Sequence, residues 1–408
     1  MSSWCRKALA APVLALAGSS AAWAQQTYFV PNVETSAEYN SNWEMAPASQ
    51  RDAMASYKAG LSARIGRRTQ LTSIELRPRI TFQEFPDRSG VDPVEYFLDL
   101  RTTRTTQRSN LLIGGSFSRR DAFSAEYGTA TFNDLNPELS KVDDTGIIFR
   151  GSTRTAFSFD PRYEYAITER SGLGAQLEMD HVRYDPENLR NRTGFDSYIG
   201  QLFYSHNLAQ RTELTVGPFA GKFKTDNDTN DTDLYGIEAK VHHDWSTISY
   251  MEVSLNVEKD DSTLRDDTTG IVTQDKSTSW GLEFTGYRRN KVGGFRYTVG
   301  RSIDPSSFGD RRTIDQVRLQ FDRPLSPLTS FLAAGRFTHE VPVGDDSGSD
   351  TRDRFFGELS LRHQLTPLWY ISGGYRLGWQ DVENQGSFQN HGVFLSVGFR
   401  GRDPERMR

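Results

Sequence analysis

Apolar and polar residues alternate along most of this chain, most clearly over Arg154–Tyr184, RTAFSFDPRYEYAITERSGLGAQLEMDHVRY. Phe157, Phe159, Pro161, Tyr163, Tyr165 and Ile167 share one parity; Ala156, Ser158, Asp160, Arg162, Glu164 and Ala166 share the other. A β-strand sends successive side chains to opposite faces, so this strand has an aromatic face and a charged face. A polar turn, Glu169–Gly172, leads into a second alternating run through Leu173, Ala175, Leu177 and Met179. The same strand–turn–strand unit recurs at 203–216, 240–255, 319–332 and 359–373. Its period is roughly forty residues, with no helical spacing between.

The pattern predicts eighteen strands, with sixteen as the alternative count, near 28–39, 55–66, 70–83, 94–103, 109–121, 154–168, 172–184, 195–207, 212–224, 233–245, 249–260, 278–288, 292–301, 312–323, 328–340, 352–364, 368–381 and 391–400. Every second connection is tight, as at Arg67–Thr69, Leu208–Arg211 and Leu365–Pro367. The others are longer and rich in Asp, Asn, Gly and Ser. Strict short–long alternation with an even strand count predicts an all-β fold: an up-and-down antiparallel transmembrane barrel with short periplasmic turns and longer extracellular loops. Two soluble β-sandwiches, the rival reading, have no reason to keep that alternation. On Leu71–Gln83, Thr72, Ile74, Leu76, Pro78, Ile80 and Phe82 face one way, and Ser73, Glu75, Arg77, Arg79, Thr81 and Gln83 the other. Only the first set suits hydrocarbon.

Composition fits this picture. The chain is only 36% hydrophobic and 25% charged, too polar for a helical membrane protein. A barrel tolerates that because only alternate residues meet lipid. Residues 1–24 read as a secretory signal: Arg6 and Lys7, an apolar core over Ala8–Ala17, and the small-x-small site Ala22-Trp23-Ala24. Residues 25–400 are the expected barrel and 401–408 a tail. The single cysteine, Cys5, leaves with the signal, so no disulfide framework is expected. Losing Arg6 and Lys7 takes the net charge from −5 to about −7, which argues against a nucleic-acid partner.

Catalytic and metal chemistry find little support, and no cofactor motif is present. His242 and His243 are adjacent and point to opposite faces, as do Ser205 and His206. TDNDTNDTD (225–233) begins like a calcium loop at Asp226, Asp228 and Asn230, then departs, with Asp231 where the turn needs Gly and Ile237 where a Glu should sit. A solvated loop is the favoured reading there. Weak cation bridging to lipopolysaccharide is the other use of the acidic loops. The expected lumen-lining side chains are Arg64, Glu75, Arg77, Arg79, Asp99, Arg101, Arg162, Glu164, Arg318, Arg362, Tyr370 and Arg376. They would pair across strands, contact a polar solute, or both. The longest connection, Ala122–Thr153, is a candidate constriction, with an exposed surface loop as the alternative.

The run at Arg154–Tyr184, with its repeat LFYSHNLAQRTELTVGPFAG, resembles the β-barrel porin family whose genes sit beside bacterial exopolysaccharide synthesis and export machinery. That family repeats an aromatic strand, a Thr-Glu-Arg or Ser-Glu-Arg turn and Leu-rich alternation; Thr168-Glu169-Arg170 and Gln210-Arg211-Thr212 take that part here. Later turns depart from it, at Ser246–Ser249, Arg288–Lys291 and Thr366-Pro367. The resemblance implies a barrel in the outer membrane of a Gram-negative bacterium, surrounded by lipid and lipopolysaccharide. It further implies passage of a secreted polysaccharide, periplasmic export components as partners, and no catalytic residues. A general or sugar-selective nutrient porin, with a small polar solute in its lumen, is the alternative.

Overall fold

Eighteen strands form one closed antiparallel sheet in a computed structural model. It describes residues 26–43, 45, 53–86, 93–122, 152–185, 193–265, 271–290, 292–306, 309–343 and 351–402. The first six strands are β1 (Gln26–Asn40), β2 (Met54–Arg68), β3 (Thr72–Glu84), β4 (Val94–Thr105), β5 (Ser109–Asp121) and β6 (Thr153–Ala166). Then follow β7 (Ser171–Asp185), β8 (Phe195–Ala209), β9 (Thr212–Thr225), β10 (Asn230–Ser246), β11 (Ser249–Arg265) and β12 (Val272–Arg289). The last six are β13 (Gly294–Pro305), β14 (Arg311–Pro324), β15 (Thr329–Pro342), β16 (Arg352–Gln364), β17 (Trp369–Val382) and β18 (Gly386–Arg400). Each strand pairs with its sequence neighbours. The barrel closes where Asn32–Asn40 of β1 meet Gly392–Arg400 of β18.

The wall is inverted relative to a soluble protein. Leu202 is 67% exposed and Phe29 63%, whereas Arg154, Arg312, Arg354 and Glu340 are buried to 2% exposure or less. A sandwich core would show the reverse. Outward aromatics form two girdles. Phe29, Tyr163, Tyr165 and Tyr204, with Trp369 edge-on to Phe399 at 5.3 Å between ring centres, mark the turn end; Tyr39, Tyr57, Tyr96, Tyr198 and Trp280 mark the loop end. Above the second girdle the outward parity turns ionic: Arg183–Asp196 (2.8 Å), Lys276–Asp261 (2.7 Å) and Arg301–Asp315 (2.7 Å). An apolar band between aromatic girdles on a closed antiparallel barrel is the outer-membrane architecture, and that is where this protein resides.

All the expected strands form, and their membrane-spanning parts start and stop close to the expected positions. The differences lie at the loop end. β11 runs on to Arg265, β12 begins at Val272 and β18 at Gly386. The β11 and β12 extensions stand above the apolar band with both faces largely wet, so apolar–polar alternation disappears although the ladder continues; the start of β18 instead packs Phe388 inward against Met45 and Val382. The strict short–long alternation is also corrected. On the loop side, β9 and β10 are joined only by Asp226–Thr229, and β17 and β18 only by Glu383–Gln385. Asp228 (φ 54°), Asn384 (φ 65°) and Gly386 (φ 92°) take left-handed conformations that make such tight reversals feasible.

Orientation is testable. An epitope inserted between Asn227 and Asp228 should be labelled on intact cells, and one inserted between Glu169 and Arg170 only after permeabilisation. The opposite labelling pattern would invert the barrel.

Candidate functional site in the lumen

Every side chain expected in the lumen stands on the parity opposite its strand's exposed apolar residues. Arg64 lies on β2, Glu75, Arg77 and Arg79 on β3, Asp99 and Arg101 on β4, Arg162 and Glu164 on β6, Arg318 on β14, Arg362 on β16, and Tyr370 and Arg376 on β17. They do not converge on one point but spread around the wall. Register opposes Glu75 to Arg101 and Arg77 to Asp99. Glu75 also accepts from Arg77 Nε at 2.7 Å and from the Tyr28 hydroxyl. Arg376 bridges Glu38 (2.8 Å) and Glu358 (3.1 Å), tying β17 to β1 and β16. Arg318, by contrast, faces Arg336 directly.

A repeated unit organises several of these arginines, and the sequence alone did not show it. A glycine on one strand faces an aromatic residue on the next, and an arginine stacks on the ring. Tyr28 covers Gly66 beneath Arg64 (5.1 Å to the ring centre), and Phe203 covers Gly174 beneath Arg162 (4.4 Å). Phe394 covers Gly374 beneath Arg376 (4.3 Å), and Tyr370 covers Gly398 beneath Arg362 (4.4 Å). The glycine is required: a Cβ on Gly66 would sit 2.2 Å from the Tyr28 ring, and one on Gly398 2.1 Å from Tyr370. Without a Cβ the ring lies flat on the wall and leaves the bore clear. The guanidinium binds the ring face through its charge, and its in-plane N–H groups stay directed along the wall. The signal is hidden in sequence because it depends on which glycine faces which ring.

Charge is distributed unevenly around the bore. The inner faces of β13–β18 and β1–β6 are rich in arginine, including Arg296, Arg318, Arg336, Arg354, Arg120 and Arg162. On β7–β12 carboxylates predominate: Glu178, Asp180, Glu213, Glu238, Glu258 and Glu283. A transverse field across low-dielectric walls orients a charged solute and raises its local concentration on the matching side.

Other expectations resolve individually. His206 faces outward and its Nδ1 lies 2.9 Å from Ser171 Oγ, while Ser205 faces inward and donates to Glu164. Among the described residues no carboxylate contacts His206, so this Ser–His pair lacks the third group that orients a catalytic base. Thr212–His243 (2.8 Å) and Thr329–His363 (2.9 Å) repeat the pairing at the turn end, as a structural motif of the lower girdle. The 225–233 stretch is solvated at its centre but is not a long loop: it is the end of β9, an exposed four-residue turn and the start of β10. Asp226 pairs with Arg183 (2.8 Å), and the Lys224 ammonium at 2.7 Å holds the Asp228 carboxyl below the usual carboxylate range. The expected constriction Ala122–Thr153 lies outside the described residues except at Ala122, Ser152 and Thr153.

No family model matches the chain, and no curated protein does. Among solved structures it is similar to the outer-membrane protein opdK of Pseudomonas aeruginosa, at 11% identity and a TM-score of 0.44, over 91% of this chain and 99% of that one. It is also similar to P. aeruginosa OccK2 (OpdF) in complex with glucuronate, at 9% identity and 0.43, over 92% and 98%. Acinetobacter baumannii OccAB4 gives 9% and 0.43, over 92% and 99%. At such identities and TM-scores these similarities carry no argument about what passes through this barrel. The architecture rests on the chain's own strand order and wall.

Proposed function

We propose that the protein is an aqueous diffusion channel for small polar solutes that carry a carboxylate. The observation that supports this most is the set of arginines stacked on wall-bound aromatics along one side of the bore. A barrel of this strand number leaves a water-filled lumen. Guanidinium N–H pairs match a carboxylate in bidentate fashion, and ring faces suit the apolar side of a sugar or an aromatic acid. Contacts spread over several places, rather than one tight site, let a solute bind and leave. The outward ionic belt on β7–β16 would sit among lipopolysaccharide headgroups. Passage of a secreted polysaccharide, with periplasmic export components, is the second reading. It draws on the family resemblance and on stacked arginines at two heights in the bore, near the turn end and near its middle.

The test combines bilayers and cells. Purified protein in planar bilayers should conduct with anion preference, and glucuronate should produce transient blockades that Arg162→Ala with Arg376→Ala shortens. A clean deletion should slow uptake of a carboxylated carbon source and leave surface polysaccharide unchanged. Loss of polysaccharide with normal uptake would overturn the diffusion reading in favour of export.

A further inference from the structure

The tip of the β13–β14 hairpin leaves the barrel wall. Pairing between β12 and β13 runs from Arg289 opposite Gly294 to Leu282 opposite Arg301 and stops there. Above that level Val272–Gly281 of β12 pair with β11, and Ser302–Pro305 of β13 pair with β14. The described turn residues are Ser306, Gly309 and Asp310. The Gly309 carbonyl accepts from Asn230 Nδ2 at 3.0 Å, although Asn230 opens β10 on the far side of β11 and β12. Thr225, the last residue of β9, also lies against Gly309, 3.1 Å from where its Cβ would be, and the glycine's φ is 82°. The described turn residues therefore lean inward over β11 and β12 at the lumen mouth and rest on the loop ends of β9 and β10.

Arg311 anchors it there. Its Nη1 donates to Asp260 Oδ1 at 2.8 Å and lies 2.9 Å from Glu258 Oε1, both on the inner face of β11. All three side chains are buried, at 6%, 3% and 5% exposure. One guanidinium thus offsets two carboxylates of the acidic side, at the height where a solute enters. We propose that Arg311 is a selectivity-determining residue of the mouth: it straps the β13–β14 tip inward onto β11 and masks Glu258 and Asp260 from entering anions. An incoming carboxylate then meets the arginine side without first meeting bare acid. This deepens the channel reading and rests on it.

Single-channel conductance and reversal potential in a salt gradient separate the parts of this proposal. R311A removes the strap's anchor and bares two carboxylates, so conductance should rise and the reversal potential should shift toward cations. E258Q/D260N removes the same anchor from the other side; conductance should rise and the shift should be toward anions. N230A cuts the second tether without changing charge, so conductance should rise with the reversal potential unmoved. It also serves as the test of the strap should either charge variant fail to fold. R311K, which keeps the charge, should stay close to wild type in reversal potential. Unchanged conductance in N230A and in the charge variants, or shifts of the same sign in the two charge variants, would overturn the proposal. A wild-type protein that forms no channel would instead sink the diffusion reading.

Discussion

Replacing Glu340 with alanine should destabilise the barrel by about 3–5 kcal/mol, the usual cost of removing one partner of a buried ion pair. Glu340 on β15 accepts from Arg354 on β16, and the two side chains are 2% and 1% exposed. Register places Arg352 directly opposite Glu340 on the same side and Ile314 on the other. Arg312 and Arg336 lie nearby on the same inner faces, so Glu340 is the counter-charge of a dense basic patch. Its removal takes an acceptor from Arg354 in surroundings crowded with like charges and poor in water. Guanidinium titration of protein refolded into phospholipid vesicles would measure the loss. Glu340→Gln keeps the shape and one acceptor and should fall between alanine and wild type. A change below about 1 kcal/mol, the range of exposed pairs, would mean that lumen water screens this cluster.

How much of this was legible in sequence depended on where lipid meets the wall. Between the girdles one parity must be apolar and the other need not be, so strands such as Leu71–Gln83 declared themselves and the lumen parity followed directly. Where both faces are wet, as at Val272–Ser277 of β12, that constraint vanishes; at Gly386–Asn390 of β18 the inward Phe388 and Asn390 are buried, but a single apolar residue among Gly, Ser, Gln and Asn shows no alternation. The turn chemistry at Asp228 and Asn384 was hidden for a related reason: Asp- and Asn-rich composition suits both a long solvated loop and a left-handed tight turn. The aromatic–glycine–arginine units were illegible because each joins residues on different strands, and parity says nothing about register. Arg311 was harder still. Its acid partners lie across β12 and β13, a contact that exists only because the hairpin tip departs from the regular wall. Parity also cannot say how crowded an inward position is. Ser158 faces inward as expected, yet it is 3% exposed and donates to Asp180 at 2.7 Å.

Placing arginine at Leu76 should cost about 2–4 kcal/mol, the penalty for a cation on the lipid face near the bilayer midplane. Leu76 sits in the middle of β3, facing outward between Ile65 of β2 and Leu100 of β4. All three would share hydrocarbon, where a guanidinium must thin the bilayer or snorkel past them. The control has to be inward, on the same strand and uncrowded. Ser158 fails on crowding, and Ser73 faces Arg68, which would add a repulsion unrelated to lipid. Thr81 meets the requirement: it faces Gly60 on β2 and Glu95 on β4, so an arginine there has room on one side and a carboxylate on the other. Thr81→Arg should therefore cost clearly less vesicle-refolded stability than Leu76→Arg, because its guanidinium meets the Glu95 carboxylate, 7% exposed, instead of hydrocarbon. Equal losses at Leu76 and Thr81 would show that both faces of β3 are buried in protein, and the membrane-spanning wall would have to be abandoned.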